Sequence, residues 1–368
     1  MSATSVAKNL MAEINTLFKD NVLKLASDES LVVEYLPTGV LPIDILLQGG
    51  LPRGRFVEIY GEYSTLKSFV GLSAIANTQK AGGVCAIIDT EHSFDPSWAE
   101  ATGVNLDDLI VIQPITGELA MDSAEALIRG NCDLIVFDSI AAALPQTERN
   151  KRLHDETLQP ARLAQLMSLA MRKLTAANSK TAMMWINQTR LNVGITFGNP
   201  ESIPGGKSMP FYASYRINMK KVGKITRDIQ AWEGEKWVAS KEQVGQKFKA
   251  VVEKSKLSKP FRDIYFTWDF ESGGIDEAGF LIAMGLEEGF ITQEGKSWIY
   301  ETTKVVGREN FKKAIQESPE LMEALRAKVM DLHSLGQQIP DKSKVAKVKR
   351  KSLKNSESDS TLTVAQEK

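Results

Sequence analysis

The stretch that most limits what this chain can fold into runs from Phe56 to Phe69, Phe-Val-Glu-Ile-Tyr-Gly-Glu-Tyr-Ser-Thr-Leu-Lys-Ser-Phe. It reads as a buried strand, a tight loop, and a helix starting at Lys67-Ser68. That is the layout of a phosphate-binding loop with one departure: Gly61, Lys67 and Ser68 fit G-x-x-x-x-G-K-[ST], but the second glycine is Leu66. The chemistry requires these types in this order. Loop N–H groups and the positive helix end surround a β-phosphate, a lysine neutralises the β- and γ-phosphates, and a hydroxyl ligates Mg²⁺. The candidate cradle is therefore Gly61, Glu62, Tyr63, Ser64, Thr65, Leu66, Lys67, Ser68 and Phe69. Glycine at position 66 would permit a positive φ, whereas leucine must hold a strained conformation or the loop must bend differently.

Two further blocks follow. Val84 to Asp95 is an apolar strand ending in carboxylates, and Asp133 to Ser139 is four apolar residues followed by an acid. Continuous apolar runs suit central parallel strands covered on both faces, whose ligands bind beyond the strands' carboxyl ends. Glu91 and Asp138 are then expected to face the same crevice as Lys67. Asp138 is positioned to orient a Mg²⁺-bound water beside Ser68, and Glu91 to act as general base toward the γ-phosphate. The alternative is that both acids only cap helices at strand ends.

The order of these blocks resembles the bacterial RecA recombinases. The resemblance rests on Asp89-Thr-Glu-His-Ser-Phe-Asp-Pro, Ser139-Ile-Ala-Ala-Ala-Leu, Ile186-Asn-Gln-Thr-Arg, Phe197-Gly-Asn-Pro-Glu and Gly205-Gly206, and spans about Pro37 to Leu332. It implies an α/β fold: a RecA-type P-loop ATPase core with a doubly wound, mostly parallel sheet, a short N-terminal helical element and a small C-terminal α/β lobe. RecA has glycine where this chain has Leu66. The T4-type phage recombinases (UvsX) also carry a bulky residue there, so a phage and a bacterial origin both stay open.

The 368 residues suffice for one large core with appendages. With 45 basic and 46 acidic residues, DNA binding must come from local loops rather than from the whole surface. Cys85 and Cys132 fall in or beside buried strands, as core residues of a reduced cytoplasmic protein would. His92, His154 and His333 have no metal-ligand spacing, no apolar run nears the roughly 18 residues of a membrane span, and no signal-like start is seen. Four parts are expected. Residues 1–35 hold an amphipathic helix (Val6, Leu10, Met11, Ile14, Leu17, Phe18), which in the family docks on a neighbouring subunit. Residues 36–270 form the ATPase and DNA-binding core, and 271–335 a small lobe. Residues 336–368 form a tail with Lys342, Lys344, Lys347, Lys349, Arg350, Lys351 and Lys354, whose low hydrophobicity and like charge predict disorder.

The loop from Thr189 to Pro210 reads as a long structureless segment, which in a compact domain is usually functional. Arg190 and Lys207 are available for phosphates, Gly205 and Gly206 for close backbone approach, and Ile195 and Phe197 as apolar wedges between bases. It matches the second DNA loop of RecA. A charged stretch, Gln146 to Pro160, occupies the place of the first, and Arg162 and Arg172 on the following helix are candidates for the same surface. Gln188 ends a buried strand and starts the long loop; the matching glutamine in RecA links ATP state to loop order, and an amide that loses a phosphate partner on hydrolysis is a physical switch. By resemblance, Asp95 and Trp98 contact adenine, and Lys254 and Lys256 reach the ATP of the adjacent subunit as an arginine finger would. The resemblance implies a DNA-dependent ATPase that forms a filament on single-stranded DNA and exchanges strands with a duplex. Its cofactors would be ATP and Mg²⁺, and its partners itself, single-stranded and double-stranded DNA, a single-strand binding protein and a loader. A hexameric helicase motor and a non-hydrolysing filament protein are the competing readings.

Overall fold

The computed structural model describes residues 3–333 except 19–22, 25, 27, 29–30, 153–160, 192–200, 233 and 235–236. Ile195, Phe197 and the basic tail lie outside the described residues. Residues Val33–His333 make one compact unit.

Among the described residues its main sheet has nine strands: β1 (Phe56–Gly61), β2 (Cys85–Asp89), β3 (Leu109–Ile112), β4 (Leu134–Asp138), β5 (Ala182–Gln188), β6 (Tyr215–Trp232), β7 (Trp237–Ser255), β8 (Asp263–Asp269) and β9 (Gly274–Ile275). The order across the sheet is β9-β8-β7-β6-β1-β5-β4-β2-β3. From β6 to β3 every neighbouring pair is parallel, and β6 to β9 continue antiparallel. The class is α/β with a mixed, largely parallel sheet, as the apolar runs require. Their residues are buried because helices cover them: α1 (Lys67–Lys80), α2 (Gly117–Arg129) and α3 (Ala161–Ala177). Small residues on α2 (Ala120, Ala124) and flexible methionines on α3 (Met167, Met171) share one core cluster with Phe56, Phe137 and Trp185 of the sheet. Trp185 stacks on Phe137 at 4.6 Å and meets Phe56 edge-on at 6.1 Å.

Register brings the strand ends together. Gly61 of β1 pairs with Gln188 of β5, and Asp89 of β2 with Asp138 of β4, so the turns after these strands open on one edge. Within β1, Glu58 breaks the apolar run and is fully buried. It accepts from Arg216 Nε of β6 at 2.5 Å and from Asn187 Nδ2 of β5 at 3.1 Å, which compensates a charge that burial alone would forbid.

Beyond the sheet lie α4 (Glu277–Glu287), a three-stranded antiparallel sheet (292–294, 297–300, 303–306), α5 (Arg308–Glu317) and α6 (Pro319–Leu332). Arg326 of α6 holds Glu277 of α4 through both guanidinium arms, at 2.8 and 2.7 Å. The described helix outside the compact unit, Ala3–Phe18, has the amphipathic pattern expected of it, with Val6, Leu10 and Leu17 exposed.

Candidate active site

The loop after β1 is a sequence of unusual backbone conformations. Gly61 has φ 153°, and a Cβ there would lie 2.2 Å from the carbonyl oxygen of Met219, so only glycine fits. Ser64 takes φ 53°, and Leu66 takes φ 64° and ψ 16°, the left-handed region. Of the two outcomes open to leucine here, the chain adopts the strained one, at about 1–3 kcal/mol. Leu66 occupies the N-cap position of α1 and its side chain cannot cap, so the first N–H groups of a 14-residue helix are left facing the loop. Lys67 is buried. Its ammonium donates to the Gly61 carbonyl (3.2 Å), the Glu62 carbonyl (2.6 Å) and Thr65 Oγ1 (3.2 Å). Burial lowers its pKa, opposed by the nearby charges of Asp138 and Glu91.

A cavity of about 480 Å³ opens over this loop, lined by residues 63–69 with Glu91, Trp98, Asp138, Ile186 and Gln188. Ser68 Oγ donates to Asp138 Oδ2 at 2.6 Å. Burial pushes the Asp138 carboxyl up to about 6; the Ser68 hydrogen bond lowers it, and the charges of Glu91 and Asp89 raise it further. Glu91 Oε1 accepts from Gln188 Nε2 at 2.6 Å and from Ser139 Oγ at 2.5 Å. Gln188 thus sits on Glu91 in this structure. Five side chains named from the sequence (Lys67, Ser68, Glu91, Asp138, Gln188) converge here. Gly61 and Glu62 meet the site through their carbonyls.

The other wall is aromatic. Trp98 is 43% exposed and lies 6.3 Å from Trp268, which meets Phe69 edge-on at 4.6 Å. Asp95 caps the helix Pro96–Ala101, accepting from the N–H groups of Ser97 (2.8 Å) and Trp98 (3.2 Å). A second cavity of about 320 Å³, lined by Asp89, Asp95 and Trp98 among others, shares Ser68 and Asp138 with the first.

Residues 5–275 match the family model for the RecA N-terminal domain. The chain belongs to the RecA family. It is 40% identical to Protein RecA of Azospirillum lipoferum over 328 residues, 87% of each chain. Identity to Protein RecA of Saccharopolyspora erythraea is 39% over 336 residues, covering 89% of this chain and 92% of the relative. A weaker structural likeness, to the crystal structure of the RadB recombinase, has a TM-score of 0.47 and 20% identity, over 65% of this chain and 98% of that one.

In this RecA-family chain the segment after β5 is not structureless at its base. Arg190–Leu191 pairs antiparallel with Glu201–Ser202, and Ser208–Tyr212 is a short helix. Asn187 Nδ2 donates to the Pro204 carbonyl (3.0 Å) and ties this base to the sheet. Gly205 and Gly206 have φ of 92° and 73°; a Cβ would lie 2.8 Å from Ile140 and 2.7 Å from Ala164 respectively, so both glycines also serve packing inside the chain. Arg190 is exposed and reaches the Ala141 carbonyl at 3.4 Å; Arg162, Arg172 and Lys207 are exposed too.

Lys254 and Lys256 do not line the cavity. Lys254 donates to the carbonyls of Pro210 and of Phe211 (3.0 Å), and Lys256 to that of Tyr212 (3.3 Å), so the pair grips the C-terminal end of the short helix. Sequence reasoning missed Ser139, Asn187, Trp268 and the Glu58–Arg216 pair. A charged residue inside an otherwise apolar strand was the available signal for the last.

Proposed function

We propose that this chain is an ATP-dependent DNA recombinase: it forms a helical filament on single-stranded DNA, pairs that strand with a homologous duplex and exchanges strands, with DNA-stimulated ATP hydrolysis. The observation that carries the reading is the convergence of Lys67, Ser68, Asp138, Glu91 and Gln188 on one cavity, with Gln188 at the head of the long loop.

The residues fit a magnesium nucleotide. The uncapped N-terminus of α1 and the buried Lys67 supply positive character where a β-phosphate would lie. Asp138 is a carboxylate whose burial outweighs the pull of Lys67, and it is hydrogen-bonded to the Ser68 hydroxyl; both groups offer hard oxygens suited to Mg²⁺. Among the described residues no three His, Cys, Asp or Glu side chains converge to hold a metal by themselves. A site with one carboxylate, one hydroxyl, phosphate oxygens and water is the usual arrangement for Mg²⁺. When bound, MgATP supplies an electrophilic γ-phosphorus whose charge the metal partly neutralises. Lys67 and the loop N–H groups hold the phosphates, Glu91 takes the proton of the attacking water, and Trp98, with Asp95 beside it, receives adenine. Gln188 moves between Glu91 and the terminal phosphate. Lys254 and Lys256 complete the site of a neighbouring subunit.

Arg162, Arg172, Arg190 and Lys207 meet DNA phosphates, while Gly205, Gly206, Ile195 and Phe197 contact the bases and backbone of the stretched strand. The N-terminal helix docks on the neighbour, and the parts 1–35, 36–270, 271–335 and 336–368 act as the four units named above. The partners are itself, single-stranded and double-stranded DNA, a single-strand binding protein and a loader, in a cytoplasm. No described helix is long and apolar enough to cross a membrane.

Steady-state ATP hydrolysis with and without single-stranded DNA, followed by strand exchange, tests the reading. DNA should stimulate hydrolysis, and Glu91→Gln should lower it about 10²–10⁴-fold while filaments persist. Hydrolysis without strand exchange would favour a motor, and no hydrolysis with retained DNA filaments would favour a non-hydrolysing protein.

A further inference from the structure

Ser139 is fully buried, follows Asp138, and stands at the N-cap position of the turn Ile140–Ala142, yet its hydroxyl makes no capping bond. Serine at such a position normally caps. Here the hydroxyl donates instead to Glu91 Oε1 at 2.5 Å. The main chain beneath is clasped from both sides: the Ser139 N–H donates to Thr90 Oγ1 (3.0 Å), Thr90 Oγ1 donates to the Ser139 carbonyl (2.7 Å), and the Thr90 N–H donates to the Asp138 carbonyl (2.8 Å). Thr90 is the residue immediately before Glu91. The turn that bears Glu91 is therefore fastened to β4, and the one donor aimed from that fastening at the carboxylate is Ser139.

Gln188 shares the same carboxylate oxygen at 2.6 Å, but it belongs to the base of the long loop. If Gln188 leaves for a phosphate, an exposed glutamate held by that amide alone would be free to change rotamer. Ser139 cannot leave, because it is buried and its backbone is clasped. No hydrogen bond from a described residue reaches Glu91 Oε2, so that oxygen is the one available to water.

We propose that Ser139 is a positioning residue: its hydroxyl holds Glu91 Oε1 so that Oε2 stays aligned for the attacking water while Gln188 moves. The proposal rests on the hydrolytic reading of Glu91. Ser139→Ala should lower DNA-stimulated kcat about 10–100-fold, the worth of one hydrogen bond to a charged group, with KM for ATP within about twofold. Ser139→Cys, a weaker donor of similar size, should fall between. A readout free of nucleotide comes from melting. Ser139→Ala should lower the Tm by about 2 °C or more in the wild-type background and by less than half as much in a Glu91→Ala background, because the partner is already gone.

An unchanged kcat in Ser139→Ala, or an equal Tm loss in both backgrounds, would overturn the proposal while leaving Glu91 in place. Wild-type turnover in Glu91→Gln would instead overturn the catalytic reading, and the proposal with it. The melting cycle would still report whether the contact exists.

Discussion

Replacing Leu66 probes the phosphate loop where this chain departs from the usual glycine. Its φ of 64° crowds Cβ against the carbonyl that follows, which costs about 1–2 kcal/mol, in the lower part of the range of about 1–3 kcal/mol given above. Leu66→Gly removes that strain. It also frees the unfolded chain by about 0.4–1 kcal/mol and gives up the packing of a half-buried leucine, about 1 kcal/mol. The terms nearly cancel, so the glycine variant should stay within about 1 kcal/mol of the parent. Leu66→Val keeps most of the apolar area but branches at Cβ, which makes positive φ an outlier; it should cost at least about 1–2 kcal/mol relative to the parent. Urea unfolding of the nucleotide-free variants, with ATP hydrolysis measured alongside, checks both. The glycine variant should also hydrolyse ATP. A valine variant as stable as the glycine variant, or a glycine variant more than about 2 kcal/mol worse than the parent, would show that the left-handed conformation is not what sets the balance.

Arg216→Met should destabilise by about 3–5 kcal/mol, because it strands the buried Glu58 carboxylate on Asn187 alone; chemical denaturation measures it. The Lys254→Ala, Lys256→Ala double variant should bind nucleotide yet lose DNA-stimulated hydrolysis, and mixing it with Glu91→Gln should restore part of that activity if each interface draws its lysines and its Glu91 from different subunits. No recovery from two filament-forming variants would place the lysines' effect within their own chain, through their hold on residues 210–212. Burial pushes the thiols of Cys85 and Cys132 up to about 12 and about 11, so at pH 8 well under about 1% of either is thiolate and alkylation should wait on unfolding. As both folded values lie above the unfolded one, these thiols favour the fold up to about pH 9, and that contribution drains away as pH rises toward 11–12; a melting series from pH 8 to 11 should show the decline.

The parallel core was legible because Cys85–Asp89 and Leu134–Asp138 are short apolar runs of the kind a doubly covered sheet buries, and their order put Lys67, Asp138, Glu91 and Gln188 at one edge. The conformation of Leu66 was legible only as a choice between strain and rearrangement, since residue type names the cost of a positive φ but not whether the chain accepts it. Ser139 was hidden for a different reason. A serine after a strand-end acid reads as a cap, and only coordinates show which acceptor the hydroxyl selects. Lys254 and Lys256 alternate correctly for a shared face, but the carbonyls they grip lie more than 40 residues away in sequence, beyond any local pattern. Gly205 and Gly206 read as room for a ligand, whereas Ile140 and Ala164 occupy much of that room.

The ladder that joins Arg190–Leu191 to Glu201–Ser202 holds the two ends of the intervening chain side by side. Where two ends are held together in this way, chain length between them is cheap to change, since doubling it costs only about 0.6 kcal/mol in closure entropy. Gln188 stands two residues before the ladder, so a change of length between 191 and 201 meets the paired strands before it meets the amide that donates to Glu91. Below the second strand the tolerance ends abruptly, because Pro204 is tied to Asn187 and the two glycines have no space for a side chain. Insertions and substitutions there would pull directly on β5. Two paired rungs of backbone thus stand between the residues they bracket and the cavity, and a change made on the near side of them is a change made to the cavity wall.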